Sequence, residues 1–258
     1  MGSTSAGAQA VQRAMAVLTC FQDGGPPLSA SDIARRLGLS GSTAHRLAQA
    51  LAGSGFLEQD PQTARYRLGP SVTELGRLSF HQRGLHRVTP ELNQLARVTS
   101  ATVDLAMRNG KHAVILLGGS VDPDSAIGLR RPLHSTALGK VLLAWAAPPG
   151  DDLTLLGSLP PQTDRTITDP GELRAEIEKV RENGYALNDG ESAYGVRTLA
   201  VPVLDRAEHA RYALAVRATP RLITEARIGW FVSHALACAR ALEVLLLPPS
   251  ERRIADVR

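Results

Sequence analysis

The residues best suited to chemistry stand in two short runs. Ser42, Thr43, His45, Arg46 and Gln49 fall within eight positions, and each carries a short hydrogen-bonding group or a guanidinium. Ala44, Leu47, Ala48 and Leu51 are interleaved with them at i, i+3, i+4 and i+7, the spacing of a buried helical face. The five polar residues therefore share the outward face, where groups of this length can reach base edges in a major groove. Arg65 and Arg67 alternate with Tyr66 and Leu68, so an inward apolar pair would leave two guanidinium groups for phosphate or a minor groove. Arg13, on the outer side of an earlier helix, suits a phosphate contact or a plain solvated charge.

No catalytic constellation accompanies these residues. Ala137 stands three residues before Lys140, so the Ser-x-x-Lys spacing is absent. Gly139-Lys140 lacks the upstream glycine and the following Ser or Thr of a phosphate loop, and no GxGxxG occurs. His81 and His86, five apart on an expected helix, face different sides and form no metal clamp. His134 directly precedes a capped helix, where a structural hydrogen bond outweighs proton transfer as its expected role. The chain reads as a non-enzyme with no cofactor and no metal.

The elements that must position the two polar runs are legible between Leu28 and Leu68. Ser29 and Asp32 form a capping-box pair ahead of a helix carrying Ile33, Ala34 and Leu37, and Gly38 suits the left-handed residue that ends it. Leu39 plugs the turn, and Ser40 caps the second helix. After Gly53 and Gly55, strands Phe56–Gln59 and Arg65–Leu68 flank a polar tip, Asp60 to Ala64. Helix, glycine turn, helix and basic hairpin in this order is a winged helix-turn-helix that binds duplex DNA. The bland alternative is a small helical subdomain with a ligandless hairpin. Ahead of it, Gln9 to Gln22 places Val11, Met15, Leu18 and Phe21 on one side of a first helix.

Length and charge agree with a second domain. At 258 residues there is room for about two cores. The net charge of +4 is mild, but the residues through Arg87 hold nine basic against five acidic side chains, so the whole excess sits in the first third. Cys20 and Cys238 lie among apolar residues and are expected to be reduced. No apolar run near 18 residues and no signal peptide stand out, which makes a cytoplasmic protein without membrane contact the expectation.

Beyond Gly69-Pro70, Ser71 caps an expected connecting helix with Val72, Leu75 and Leu78. A helix near Pro90–Thr99, carrying Leu92, Leu95, Ala96 and Val98, opens the second domain. A strand from Thr102 to Met107, an Asn109-Gly110 hairpin signal and a strand from Ala113 to Leu117 begin an antiparallel sheet. Gly118 to Arg131 is looser. Ser135 or Thr136 then caps an apolar helix whose first amides favour an anion. Asp169-Pro170-Gly171-Glu172 starts another helix with Leu173, Ile177 and Val180 inward, ending at Asn183-Gly184. Strands are expected near Val196–Val203 and Tyr212–Arg217. A long helix from about Thr224 to Leu247 closes the domain, and Ser250 to Arg258 reads as a frayed tail.

From about Ala10 to Leu247 the chain resembles the isocitrate-lyase-regulator (IclR) family of bacterial transcription factors. The resemblance rests on LGLSGSTAHRL, RYRLGPSVTELG, GLRRPLHSTALGKVLLA, RENGYALNDGESAYGVRTLAVPV and TPRL, in that order. It implies an α+β protein with a winged helix-turn-helix at 9–69, a linker helix at 70–88, a GAF-like antiparallel-sheet effector domain at 89–248 and a tail at 249–258. It also implies a homodimer or homotetramer on double-stranded operator DNA, modulated by a small molecule. Carried over position by position, the effector site comprises Arg131, His134, Ala137, Leu138, Asn188, Val196, Thr198, Ala215 and Arg217. Asn188 stands where relatives carry an acid, Thr198 where a cysteine is common, and Ala215 and Arg217 where serines are frequent. Losing a carboxylate and gaining a guanidinium makes the cavity more positive and points to an acidic effector, possibly a carboxylate. Arg217 could instead point outward, or pair with Asp189 or Glu191. At the DNA end a lysine common in relatives is Gly41 here. Two functions stay open: a ligand-responsive regulator, and a DNA-binding regulator whose second domain serves oligomerisation alone.

Overall fold

The computed structural model describes residues 6–118, 130–146 and 152–253, which divide into two compact units, one through Gln82 and one from Arg83 onward. The first holds α1 (Ala6–Thr19), α2 (Ala30–Leu37), α3 (Gly41–Gly53), the hairpin β1 (Leu57–Gln59) and β2 (Tyr66–Leu68), and α4 (Pro70–Gln82). Its core is Val17, Ile33, Ala44, Ala48, Leu57 and Tyr66. The capping box forms: Asp32 N donates to Ser29 Oγ at 3.1 Å, and Ser29 N donates to Asp32 Oδ2 at 3.0 Å. Gly38, at φ 63°, ends α2 in the left-handed region that a side chain would strain.

The packing departs from the expected pattern at α1, α4 and β2. Only the end of α1 and the turn after it reach the core, through Val17 and Cys20, whereas Val11 and Met15 are more than half exposed. Helix α4 starts at Pro70 rather than at a Ser71 cap, because the Ser71 hydroxyl donates to the Ser54 carbonyl. It buries no residue fully, and Leu75 and Leu78 are about half exposed, at 51% and 52%. On β2, Tyr66 is fully buried but Leu68 is largely exposed, so the inward pair is only one residue.

The second unit is built on a six-stranded antiparallel sheet of order β5-β4-β3-β8-β7-β6. Its elements are α5 (Thr89–Thr99), β3 (Thr102–Asn109), β4 (His112–Leu117), β5 (Arg130–Pro132), α6 (Ala137–Ala144), α7 (Asp152–Leu156), α8 (Pro170–Asn183), β6 (Ala186–Asp189), β7 (Arg197–Leu204), β8 (Ala210–Ala218) and α9 (Ile228–Leu246). Helix α6 lies on one face over Ala106, Ala200, Ala213 and Ala215, with α8 outside it. Helices α5 and α9 take the other face, which is why Val103, Leu105, Leu199, Val201 and Leu214 are also buried. Strand β3 is therefore buried on consecutive residues instead of alternating. The fold is α+β.

Several local expectations shift. Asn109 pairs with His112, so the hairpin loop is Gly110-Lys111, one residue later than its Asn-Gly signal. Thr99, not Val98, faces inward on α5. Strand β6 was not foreseen, and the looser segment ends in an edge strand at Arg130; residues 119–129 lie outside the described residues. Residues 250–253 are tied down, since Arg206 N donates to Glu251 O and Arg253 pairs with Glu243 at 2.6 Å. Glu225–Leu246 does meet the length and apolarity of a membrane span, yet Phe231, Ala235 and Leu242 on it are fully buried within this unit.

Candidate nucleic-acid interface and effector site

On α3, Ser40 caps through a 3.2 Å bond from Thr43 N, and its hydroxyl also meets those of Thr43 at 2.8 Å and Ser42 at 3.2 Å. His45 and Arg46 stand exposed on the outward face, their side chains making no hydrogen bond or ion pair to another described residue. Gln49 is differently placed. Its amide donates to Gln59 Oε1 at 3.0 Å and to the Tyr66 hydroxyl at 3.1 Å, and Gln59 donates to Ala64 O at 3.1 Å. Gln49 thus braces the recognition helix against the wing, a role its outward position in the sequence did not signal. Ala64, at φ 54°, holds the wing tip in the left-handed region.

The wing arginines face outward but already have partners. Arg67 pairs with Glu58 at 2.5 Å, and Arg65 donates to Pro27 O at 2.8 Å and lies 3.4 Å from Asp32. Contact with phosphate would exchange these exposed pairs, each worth little in water. Hydrogen bonds from the Ser29 hydroxyl and amide lower the Asp32 carboxyl to about 2, so it stays ionised beside Arg65. Arg13 stands apart, on the exposed half of α1.

In the second unit the start of α6 is the focus. Thr136 caps it, accepting from Gly139 N at 3.1 Å, and the amides of Ala137 and Leu138 have no partner one turn earlier in the helix. Gly139 is obligatory: a Cβ there would lie 2.2 Å from the Leu133 carbonyl oxygen. Asn188, fully buried, donates to Ser135 O at 2.6 Å and accepts from Glu191 N at 3.0 Å. Asn188 pairs in register with Thr198, and Thr198 with Arg217, so one row of the sheet runs from the start of α6 to Arg217. Ala210 N donates to Trp145 O, which sets the other end of α6 at the start of β8. The buried Ser135 hydroxyl has no hydrogen-bond partner among the described residues.

Arg131, Asn188, Thr198, Ala215 and Arg217 share the α6 face of the sheet, because each lies in register with, or two residues from, an alanine packed under α6. Val196 sits in the loop before β7, closed by Gly190 N to Val196 O. His134 Nε2 donates to Pro160 O at 3.0 Å, and burial pushes its imidazole below the usual histidine range.

The partners of the charged residues differ from those considered from sequence. Asp189 is held by Arg197 at 2.6 Å, and Glu191 by Lys140 at 2.6 Å. Arg217 instead lies 3.4 Å from Asp104, a buried carboxylate outside the expected effector set. Its signal was a lone acid inside the apolar strand Thr102-Val-Asp-Leu-Ala-Met107. Lys140 is fully buried and bridges Glu191 and Glu176. Burial drives the Glu191 carboxyl upward, against the pull of Lys140. Among the described residues no group of three or more His, Cys, Asp or Glu could hold a metal ion.

Comparison with known proteins bears on both sites. Residues 10–61 match the IclR helix-turn-helix domain, and residues 81–244 match the bacterial transcriptional regulator IclR C-terminal domain. The HTH-type transcriptional regulator XynR of Escherichia coli is 32% identical over 244 residues, 91% of this chain and 97% of that protein. A crystal structure of a putative IclR regulator from a Silicibacter species superposes with a TM-score of 0.82 at 28% identity, covering 94% of this chain and 99% of that one. An IclR homologue from Microbacterium hydrocarbonoxydans, solved with 4-hydroxybenzoate, has a TM-score of 0.73 at 24% identity, covering 92% and 98%.

Proposed function

The chain belongs to the IclR family of bacterial transcriptional regulators, and on that premise we propose that it is a ligand-responsive regulator acting in the cytoplasm. Residues 9–69 read operator DNA, 70–88 link, and 89–248 bind a small acidic effector. The DNA-facing set is Arg13, Ser42, Thr43, His45, Arg46, Arg65 and Arg67, with Gln49 as a brace. The effector set is Arg131, Ala137, Leu138, Asn188, Thr198, Ala215 and Arg217, with Val196 in the flanking loop and His134 holding the segment before α6.

The observation that carries the effector reading is the convergence at the start of α6. Asn188, in the Asn188–Thr198–Arg217 row, donates to Ser135 O just before the first-turn amides of α6, and the buried Ser135 hydroxyl has no hydrogen-bond partner among the described residues. A helix start and a guanidinium both favour an anion. The 4-hydroxybenzoate in the Microbacterium homologue supports an organic acid. Exposed apolar residues on α1 and α4 support assembly as a dimer or tetramer. Effector binding then shifts the population of arrangements that differ in the spacing between recognition helices.

A thermal-shift screen of small organic acids, 4-hydroxybenzoate first, tests the reading together with gel-shift titration on DNA fragments selected by the protein. An acid that both raises the melting temperature and changes DNA affinity is the expected result. Silence across the library would leave a DNA-binding regulator whose second domain serves assembly alone.

A further inference from the structure

The arginines of the DNA-binding unit are nearly all spent on acids. Between Leu28 and Leu68, Arg35 pairs with Asp32 at 2.6 Å, Arg36 with Asp23 at 2.9 Å, Arg65 with Asp32 at 3.4 Å and Arg67 with Glu58 at 2.5 Å. Arg46 on α3 is the exception in that stretch among the described residues. Two of the acids have work within the fold. Asp32 closes the capping box of α2, and Asp60 accepts from the Gln62 amide at 2.8 Å to turn the wing tip. Glu58 does not: its carboxylate has Arg67 as its one partner among the described residues. The two stand directly opposite in the β1–β2 register, on the solvent face, while Leu57 and Tyr66 turn into the core.

We infer that Glu58 cancels Arg67 as a phosphate contact, so that the wing adds shape to DNA binding but little charge-driven affinity. This deepens the reading of the hairpin as a DNA-contacting wing and rests on it. The exposed pair is worth little in water and opens readily beside a phosphate. Its carboxylate cannot leave, because direct cross-strand neighbours hold their Cβ atoms about 5 Å apart, well inside the screening length of roughly 10 Å at 0.1 M salt. Glu58 therefore meets any phosphate that Arg67 meets, and the guanidinium displaces no net counterion. The other charges of the hairpin are already tied, Arg65 to Pro27 O and Asp32, and Asp60 to the Gln62 amide. Glu58 is thus the one acid of the wing whose removal costs the fold no hydrogen bond but its own. A carboxylate facing the partner's own sign of charge holds down binding to duplexes of any sequence.

Fluorescence anisotropy of the full chain on a duplex of scrambled sequence, titrated at salt from about 50 to 200 mM, isolates that charge. Glu58→Gln is expected to tighten binding about 3- to 10-fold per wing near 0.1 M salt, and to steepen the plot of log affinity against log salt by about 0.9 per wing. Adding Arg67→Gln is expected to erase that gain, because the freed guanidinium is its source. Glu58→Thr repeats the test with a residue suited to a strand, and a thermal melt reports that each variant folds. An unchanged slope in folded Glu58→Gln and Glu58→Thr overturns the role of Glu58. If Arg67→Gln then weakens binding, Arg67 meets phosphate and the wing reading stands; if neither change moves the titration, the wing reading falls with it. A gain that survives the loss of Arg67 overturns the cancellation as well, since the carboxylate then acts without its partner.

Discussion

Replacing Lys140 with methionine should expose how much of the second unit rests on one buried charge. The Lys140 side chain is 1% exposed, and its ammonium donates to Glu191 at 2.6 Å and Glu176 at 2.9 Å, whose side chains are 12% and 25% exposed. Methionine fills the volume but leaves Glu191 without its cation, and one Glu191 oxygen already lacks a partner among the described residues. Removing one member of a buried pair costs about 3–5 kcal/mol, because the remaining charge is stranded. Removing both charges, in Lys140→Met with Glu191→Gln, should recover about half or more of that loss, with Glu176 turning to water. The pH dependence follows from Glu191. Its carboxyl is already raised by burial, and the variant deletes the two influences of Lys140 that lower it. A raised carboxyl binds more protons folded than unfolded, so stability falls as pH rises through the folded value. The defect of Lys140→Met should therefore shrink as pH drops from 7 toward the ordinary glutamate value of 4.5. Both tryptophans, Trp145 and Trp230, lie in the second unit, so intrinsic fluorescence in urea reads its unfolding directly. A loss below about 1 kcal/mol, or a defect that grows on acidification, would refute the reasoning.

The DNA-binding unit and the thiols give further expectations. Arg46→Ala should weaken specific DNA binding by about 1–3 kcal/mol per recognition helix and relax base preference, read by fluorescence anisotropy. Gln49→Ala should weaken binding without changing base preference, and adding Gln59→Ala should bring little further loss, because the two amides form one brace. Ser29→Ala should cost about 0.5–2 kcal/mol through the lost cap. The Asp32 contribution, from a carboxyl depressed to about 2, should be complete above the ordinary value of 3.8 and fade as pH falls toward 2 in thermal melts. Cys238, its thiol pushed up to about 12 by burial, should resist a thiol reagent at pH 8 until denaturant is added.

The first unit was legible because its signals are local. Ser29 with Asp32, Gly38, and Ser40 ahead of an i, i+3, i+4, i+7 stripe each act within one helical turn. Helix α1 was misread in register because Val11 and Met15 continue an apolar period past the point where the core ends. In the second unit, local signals found the longer helices and most strands but neither α7 nor the partners. Asp104 meets Arg217 across 113 positions of chain, and Lys140 meets Glu191 across 51, and neither pairing leaves a periodic trace. Resemblance placed residues around the α6 start, yet the counter-charge came from a strand that no motif marked. Gln49 shows the converse: an outward polar residue on a reading face whose amide is spent on the wing.

The proposed regulation requires that the second unit govern DNA reading by the first. Titration of a selected operator fragment at fixed salt, with and without a saturating acid that stabilises the protein, tests it most directly. The acid is expected to shift DNA affinity about fivefold or more, and Arg217→Ala to abolish the shift while leaving ligand-free affinity unchanged. An acid that raises the melting temperature yet leaves the DNA titration superimposable would contradict it.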